Sequence, residues 1–105
     1  MAKISLRGYN RDIEQLIKQD KIDEAIAHCK YILKLFPKNI DTYRLLGQAF
    51  LENQQYTEAS DIFKRILAVT PDDFISNYGI SIISEDEGNL DAAIWHMERA
   101  FEIQP

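Results

Sequence analysis

Apolar positions recur along most of this chain at three- and four-residue spacing. Ile22, Ala25, Ile26, Cys29, Ile32 and Leu33 form one such series, and Tyr43, Leu46, Gly47, Phe50 and Leu51 form another. That period belongs to a helix burying one face. Short polar segments interrupt the series: Gln19-Asp20-Lys21, Asn53-Gln54-Gln55 and Gly88-Asn89. In the last of these, Gly88 suits a left-handed helix-ending position and Asn89 an N-cap. Pro37-Lys38-Asn39 and Pro71-Asp72-Asp73 are sharper punctuation. Each proline ends a helix, and Asn39 or Asp73 then offers an N-cap to the next. The pattern predicts helices over 8–19, 22–35, 40–53, 56–69, 74–87 and 90–103. With only four Gly, three Pro and no β-branched runs bounded by turn pairs, the fold class is all-α.

The helices fall into a repeat. Pro37, Pro71 and Pro105 are spaced by 34 residues. Stacking the windows 6–39, 40–73 and 74–105 aligns Ala25, Ala59 and Ala93, and leaves residues 1–5 as a short N-terminal extension. The columns Ile22/Tyr56/Leu90, Cys29/Phe63/Met97 and Ile32/Ile66/Ala100 are apolar throughout. Each window holds two helices joined by a few residues, which forces them to pack as antiparallel neighbours. One such hairpin cannot bury both apolar faces by itself, so the hairpins must stack. Small residues mark the close approaches: Gly47 is expected to face Ala59, and Ser81 to face Ala93.

The middle window reads Tyr43-x2-Leu46-Gly47-x2-Phe50-x5-Tyr56-x2-Ala59-x3-Phe63-x2-Ile66-x4-Pro71. This pattern resembles the tetratricopeptide repeat family, and the resemblance extends from about Leu6 to Pro105. It implies a right-handed superhelical array of antiparallel helix hairpins, an α-solenoid of about six helices, in which the first helix of each hairpin lines a concave groove. The implied function is a non-enzymatic protein–protein interaction module that holds a peptide or helix of a partner. Carried over column by column, the groove face comprises Asn10, Glu14, Ile17 and Lys18, then Asp41, Arg44, Gln48 and Glu52, then Ile75, Tyr78, Ile82 and Glu85. The first window departs from the pattern at Asp12 and Ile13, and the third at Asn77 and Ser84, where the family carries apolar or small residues. Members that clamp acidic chaperone C-termini do so with Lys, Asn and Arg. Here Glu14, Leu45 and Gly79 stand in three of those columns, so that clamp is absent.

Composition narrows the function further. A formal charge of −5 and a pI near 4.9 weigh against the concentrated basic face that nucleic acid needs, so no nucleic-acid partner is expected. No run approaches the ~18 apolar residues of a membrane span, and Met1 to Asn10 lacks the apolar segment of a secretion signal. A single cysteine, Cys29, fits a reducing compartment and a core position, so a cytoplasmic location is expected. His28 and His96 share a column but are two repeats apart, roughly 20 Å at ~10 Å per helical layer, too far to share a metal. No phosphate-loop, zinc-protease or serine-nucleophile motif occurs. No cofactor, metal or catalytic group is expected.

Two surfaces stand out as candidate sites. Ile75, Tyr78 and Ile82 form an apolar patch on the groove face, flanked by Arg44 and Gln48; a partner or a further repeat would cover it, or these residues simply widen the core. Trp95 occupies a column that holds Ala27 and Asp61 elsewhere. Either it packs along its own helix against Arg99 or over a hairpin edge, or it joins Ile94 and Phe101 in an association surface. That surface would serve a homo-oligomer or a longer array, as the alternative to groove binding.

Overall fold

The computed structural model describes residues 5–104. It consists of six helices: α1 (Leu6–Lys18), α2 (Ile22–Leu35), α3 (Ile40–Glu52), α4 (Tyr56–Val69), α5 (Phe74–Asp86) and α6 (Leu90–Ile103). Residues 1–4 of the N-terminal extension and Pro105 lie outside the described part. The array measures 51 × 24 × 23 Å, long enough to set three hairpins side by side.

Each hairpin opens on the same capping device. Ser5, Asn39 and Asp73, each 34 residues after the last, accept from the backbone N–H three residues on, at Gly8 (3.2 Å), Thr42 (2.8 Å) and Ser76 (3.0 Å). This satisfies a donor that a first helical turn leaves unpaired. The Ser5 cap also explains why α1 starts at Leu6, two residues before the predicted start. At the other end of these helices the chain enters the left-handed region at Asp20 (φ 61°), Gln54 (φ 57°) and Gly88 (φ 78°). The amides of Lys21, Gln55 and Asn89 then donate back to the carbonyls of Leu16, Phe50 and Ser84 at 2.8–2.9 Å, the closing bond of a Schellman turn. This turn stops α1, α3 and α5 one residue earlier than predicted. Only Gly88 takes the conformation without strain; Asp20 and Gln54 each bear a penalty of about 1 kcal/mol.

The alanine column is buried, with Ala25 and Ala59 wholly inaccessible, and the column Ile32, Ile66 and Ala100 is buried as well. At the centre a further close approach sets the packing. The atoms nearest Gly47 belong to Phe63, not to Ala59, which lies one turn earlier on α4. A methyl group at Gly47 would come within 2.5 Å of one edge of that ring, and a methyl group at Gly79 within 2.3 Å of the other edge. The fully buried ring of Phe63 is therefore wedged between the backbones of α3 and α5, joining the second and third hairpins. A benzyl side chain fits there only because neither helix carries a Cβ at the point of contact. One repeat earlier, at the junction of the first and second hairpins, the same three positions hold Ile13, Cys29 and Leu45, all buried. There the middle residue is small and the flanking ones are large.

Cys29 is thus a packing residue, and burial pushes its thiol up to about 12, far from the thiolate that nucleophilic chemistry requires. Asn77 also has a defined place. Its amide NH2 donates to the carbonyls of Pro71 (3.2 Å) and Asp73 (2.9 Å), and its Oδ1 lies 3.1 Å from His96 Nδ1. Because the NH2 is committed to carbonyls, His96 must donate from Nδ1. Burial lowers the pKa of His96 from its ordinary range. In the first hairpin, Tyr9 Oη and His28 Nδ1 make the equivalent link at 2.5 Å. The two histidines thus tie α1 to α2 and α5 to α6. In the middle hairpin those positions are Tyr43 and Ile62.

Candidate functional site

Because each hairpin stacks on the next, α1, α3 and α5 lie side by side, with α3 packed against both of the others. Their shared face carries two adjoining grooves. The first, about 340 Å³, has Ile17 and Leu51 on one wall and Ile75, Tyr78 and Ile82 on the other, with Glu14, Lys18, Gln48 and Glu52 at its rim. The second, about 480 Å³, lies between the start of α1 and α3 and includes Arg7, Asn10, Arg11, Asp41 and Arg44. Glu14, Gln48 and Ile75 border both. All seven residues expected at the groove (Asn10, Glu14, Arg44, Gln48, Ile75, Tyr78 and Ile82) line one or both grooves. Glu85 of the same face lines neither.

At the apolar end, Tyr78 is the most exposed large hydrophobic side chain. Tyr78 is part exposed and stacks on Phe74, with ring centroids 5.9 Å apart; this holds its ring at the groove wall. Leu51 stands 34 residues from Ile17 and completes the opposite wall, a position the repeat itself could have singled out. At the rim, Lys18 and Glu14 are 3.6 Å apart, an exposed pair of little energetic weight.

Asn10 and Arg44 line the second groove but are engaged inside the fold. The Thr42 hydroxyl lies 2.8 Å from Asn10 Oδ1 and 2.9 Å from Asn39 Oδ1, donating to one of them at a time. One repeat later, Arg44 Nε donates to Asp73 Oδ1 at 2.6 Å, and Nη1 to Asp41 Oδ1 at 2.6 Å. Asp73 is only 5% exposed, and its other oxygen accepts from the amide and hydroxyl of Ser76. Each of these columns therefore reaches across to the cap of the following hairpin. The first joint is made by neutral groups and the second by an ion pair. Arg44 therefore supports the groove and is not a free cation within it. The signal for these joints was the recurrence of Asn39-x2-Thr42 as Asp73-x2-Ser76.

On α6, Ile94 and Phe101 are exposed on one side together with Leu90. The equivalent of Ile94 in the first hairpin, Ile26, is 9% exposed against 56% for Ile94, because α3 follows it. Trp95 does not share this side. At 3.6 residues per turn it points about 100° away, lying edge-on to His96 at 4.8 Å with the Arg99 guanidinium 5.9 Å from its ring. The candidate association surface therefore divides in two. Among the described residues, no group of three or more His, Cys, Asp and Glu side chains could hold a metal ion, and no helix is long and apolar enough to cross a membrane.

Comparison with known proteins gives the repeat a relationship. A family model for the tetratricopeptide repeat matches residues 16–76. The chain is 30% identical over 71 residues to Superkiller protein 3 of Schizosaccharomyces pombe, a match covering 68% of this chain and 5% of that protein. It is 26% identical over 92 residues to Superkiller complex protein 3 of Homo sapiens, covering 88% of this chain and 6% of that protein. The chain thus spans a small fraction of the length of these relatives. Among solved structures, a mutant of MamA superposes with a TM-score of 0.79 at 22% identity, covering 99% of this chain and 76% of that one.

Proposed function

This chain belongs to the tetratricopeptide repeat family, whose fold generally mediates protein–protein interaction without catalysis, and we propose that it holds a segment of a partner protein in the groove formed by α1, α3 and α5. The observation that carries this is the part-exposed Tyr78 opposite Ile17 and Leu51, with polar groups at the rim. An apolar interior within a polar border is the usual anatomy of a peptide site. The segment anchors one or two apolar side chains beside Tyr78 and Ile82, and its backbone runs past Gln48.

Arg44 is a poor residue with which to test this, because its loss disturbs Asp73. The double variant Tyr78→Ala/Ile82→Ser strips one apolar wall and leaves both joints intact. Peptides selected from a random displayed library on the unmodified chain should bind the variant at least roughly tenfold more weakly, the loss of about 1.4 kcal/mol of apolar contact. Circular dichroism should be unchanged. Selected peptides that bind both proteins equally would refute the groove.

The exposure of Leu90, Ile94 and Phe101 favours a second reading, association through α6, since these columns are buried or half-buried in the hairpins before it. Under this reading, mass measured by light scattering rises with concentration, and Ile94→Lys abolishes the rise. A monomer at all concentrations would dispose of self-association.

A further inference from the structure

A third cleft, about 420 Å³, opens on a different part of the surface and shares no residue with the two grooves. It lies between the turn that precedes α3 and the last turns of α4. Its floor is Ile40, Tyr43 and Ile66, Val69 stands 73% exposed at its edge, and Lys38 and Arg65 are its only charged residues. Neither cation has an ion-pair partner among the described residues.

The repeat shows what is missing. One period on, Lys38 corresponds to Asp72 and Arg65 to Arg99, and there Arg99 Nη2 donates to Asp72 Oδ1 at 2.6 Å. The third hairpin therefore closes this corner with its own carboxylate. The second offers the same arginine with a lysine where the carboxylate would be, two positive charges beside an uncovered apolar floor. Such a corner is complementary to an anion that carries apolar surface with it. Two cations in a chain of net charge −5 are too few to track a nucleic-acid backbone.

We propose that this cleft binds a protein segment in which a carboxylate stands next to a large aliphatic side chain. The carboxylate occupies the place that Asp72 takes beside Arg99, and the aliphatic group covers Ile40, Tyr43 and Val69. The site is independent of the α1/α3/α5 groove, so one chain could hold two segments at once.

The test is a titration of the full 105-residue chain, followed by amide chemical shifts, with blocked peptides that place one aspartate beside one leucine in a glycine–serine background. Saturable shifts are expected at Lys38, Ile40, Arg65 and Val69. The asparagine counterpart should bind roughly fivefold more weakly, the worth of one exposed ion pair, and the alanine counterpart should also be weaker. Lys38→Asp serves as the decisive variant. It recreates the closed corner of the third hairpin, so it should abolish the shifts while leaving the melting temperature the same or higher. No saturable shift, equal binding of the asparagine peptide, shifts confined to Ile75, Tyr78 and Ile82, undiminished binding by Lys38→Asp, or tighter binding of a short single-stranded oligonucleotide would each overturn the proposal.

Discussion

Gly79→Ala is expected to lower stability by about 2–3 kcal/mol and the melting temperature by roughly 10 °C or more. On an isolated helix the same change would stabilise, since alanine is the better helix former by about 1 kcal/mol. Here the added methyl meets the Phe63 ring at 2.3 Å, more than an ångström inside ordinary contact. The ring cannot retreat, because its other edge already lies against the bare backbone at Gly47. Overpacking therefore outweighs propensity. Denaturant unfolding followed by far-ultraviolet circular dichroism measures the difference. Combining Gly79→Ala with Phe63→Leu, which thins the wedge, should be less damaging than the sum of the two single changes by about 1 kcal/mol. A Gly79→Ala chain that melts at or above the parent temperature would show that the ring is not confined as described.

Arg44→Met is expected to cost about 2–3 kcal/mol. Removing one partner of a buried ion pair leaves the other desolvated and uncompensated, at about 3–5 kcal/mol when both are buried. Arg44 keeps 30% of its side chain in solvent against 4% for Asp73, which reduces that figure. Asp73 also retains its bonds to Ser76. Adding Asp73→Asn should recover part of the loss, because asparagine caps α3 at the equivalent position and brings no charge inside. Urea midpoints of the two single variants and the double variant form the cycle. A loss below about 0.5 kcal/mol for Arg44→Met would place the pair among surface ion pairs of little consequence.

The two changes also mark how far the sequence could be read. The six helices and their junctions were legible because the 34-residue period repeats both the apolar columns and the caps Asn39 and Asp73. The role of Gly79 was not. A family column placed it only among the positions of an absent clamp, whereas its function depends on the volume of Phe63 on a neighbouring helix, which no periodicity records. Arg44 was read from its column as a groove residue, and it does line one, yet its guanidinium is taken by Asp41 and Asp73. Column position predicts which way a side chain points; it does not predict which partner reaches it first. Trp95 shows a related difficulty. Its unusual column was visible, but its separation from Ile94 and Phe101 follows from helical angle and not from closeness in sequence. The cleft at Lys38 and Arg65 was legible in principle, from comparing the charges at equivalent positions of successive repeats.

The polar joints have a consequence for the order of the hairpins. Asn10 meets a neutral cap at Asn39 and Thr42, and Arg44 meets a charged one at Asp73 and Ser76. If residues 39–72 were excised so that the third hairpin followed the first, the Asp73 carboxylate would lie under Asn10 with no cation to neutralise it. The wedge of Phe63 would be lost with the excised segment, leaving the bare backbone of Gly79 against the small Cys29. The hairpins share one backbone plan, but the residues at their joints act as an address, and each hairpin is matched to its own neighbour. A shuffled chain would keep every helix and lose its sequence of fits.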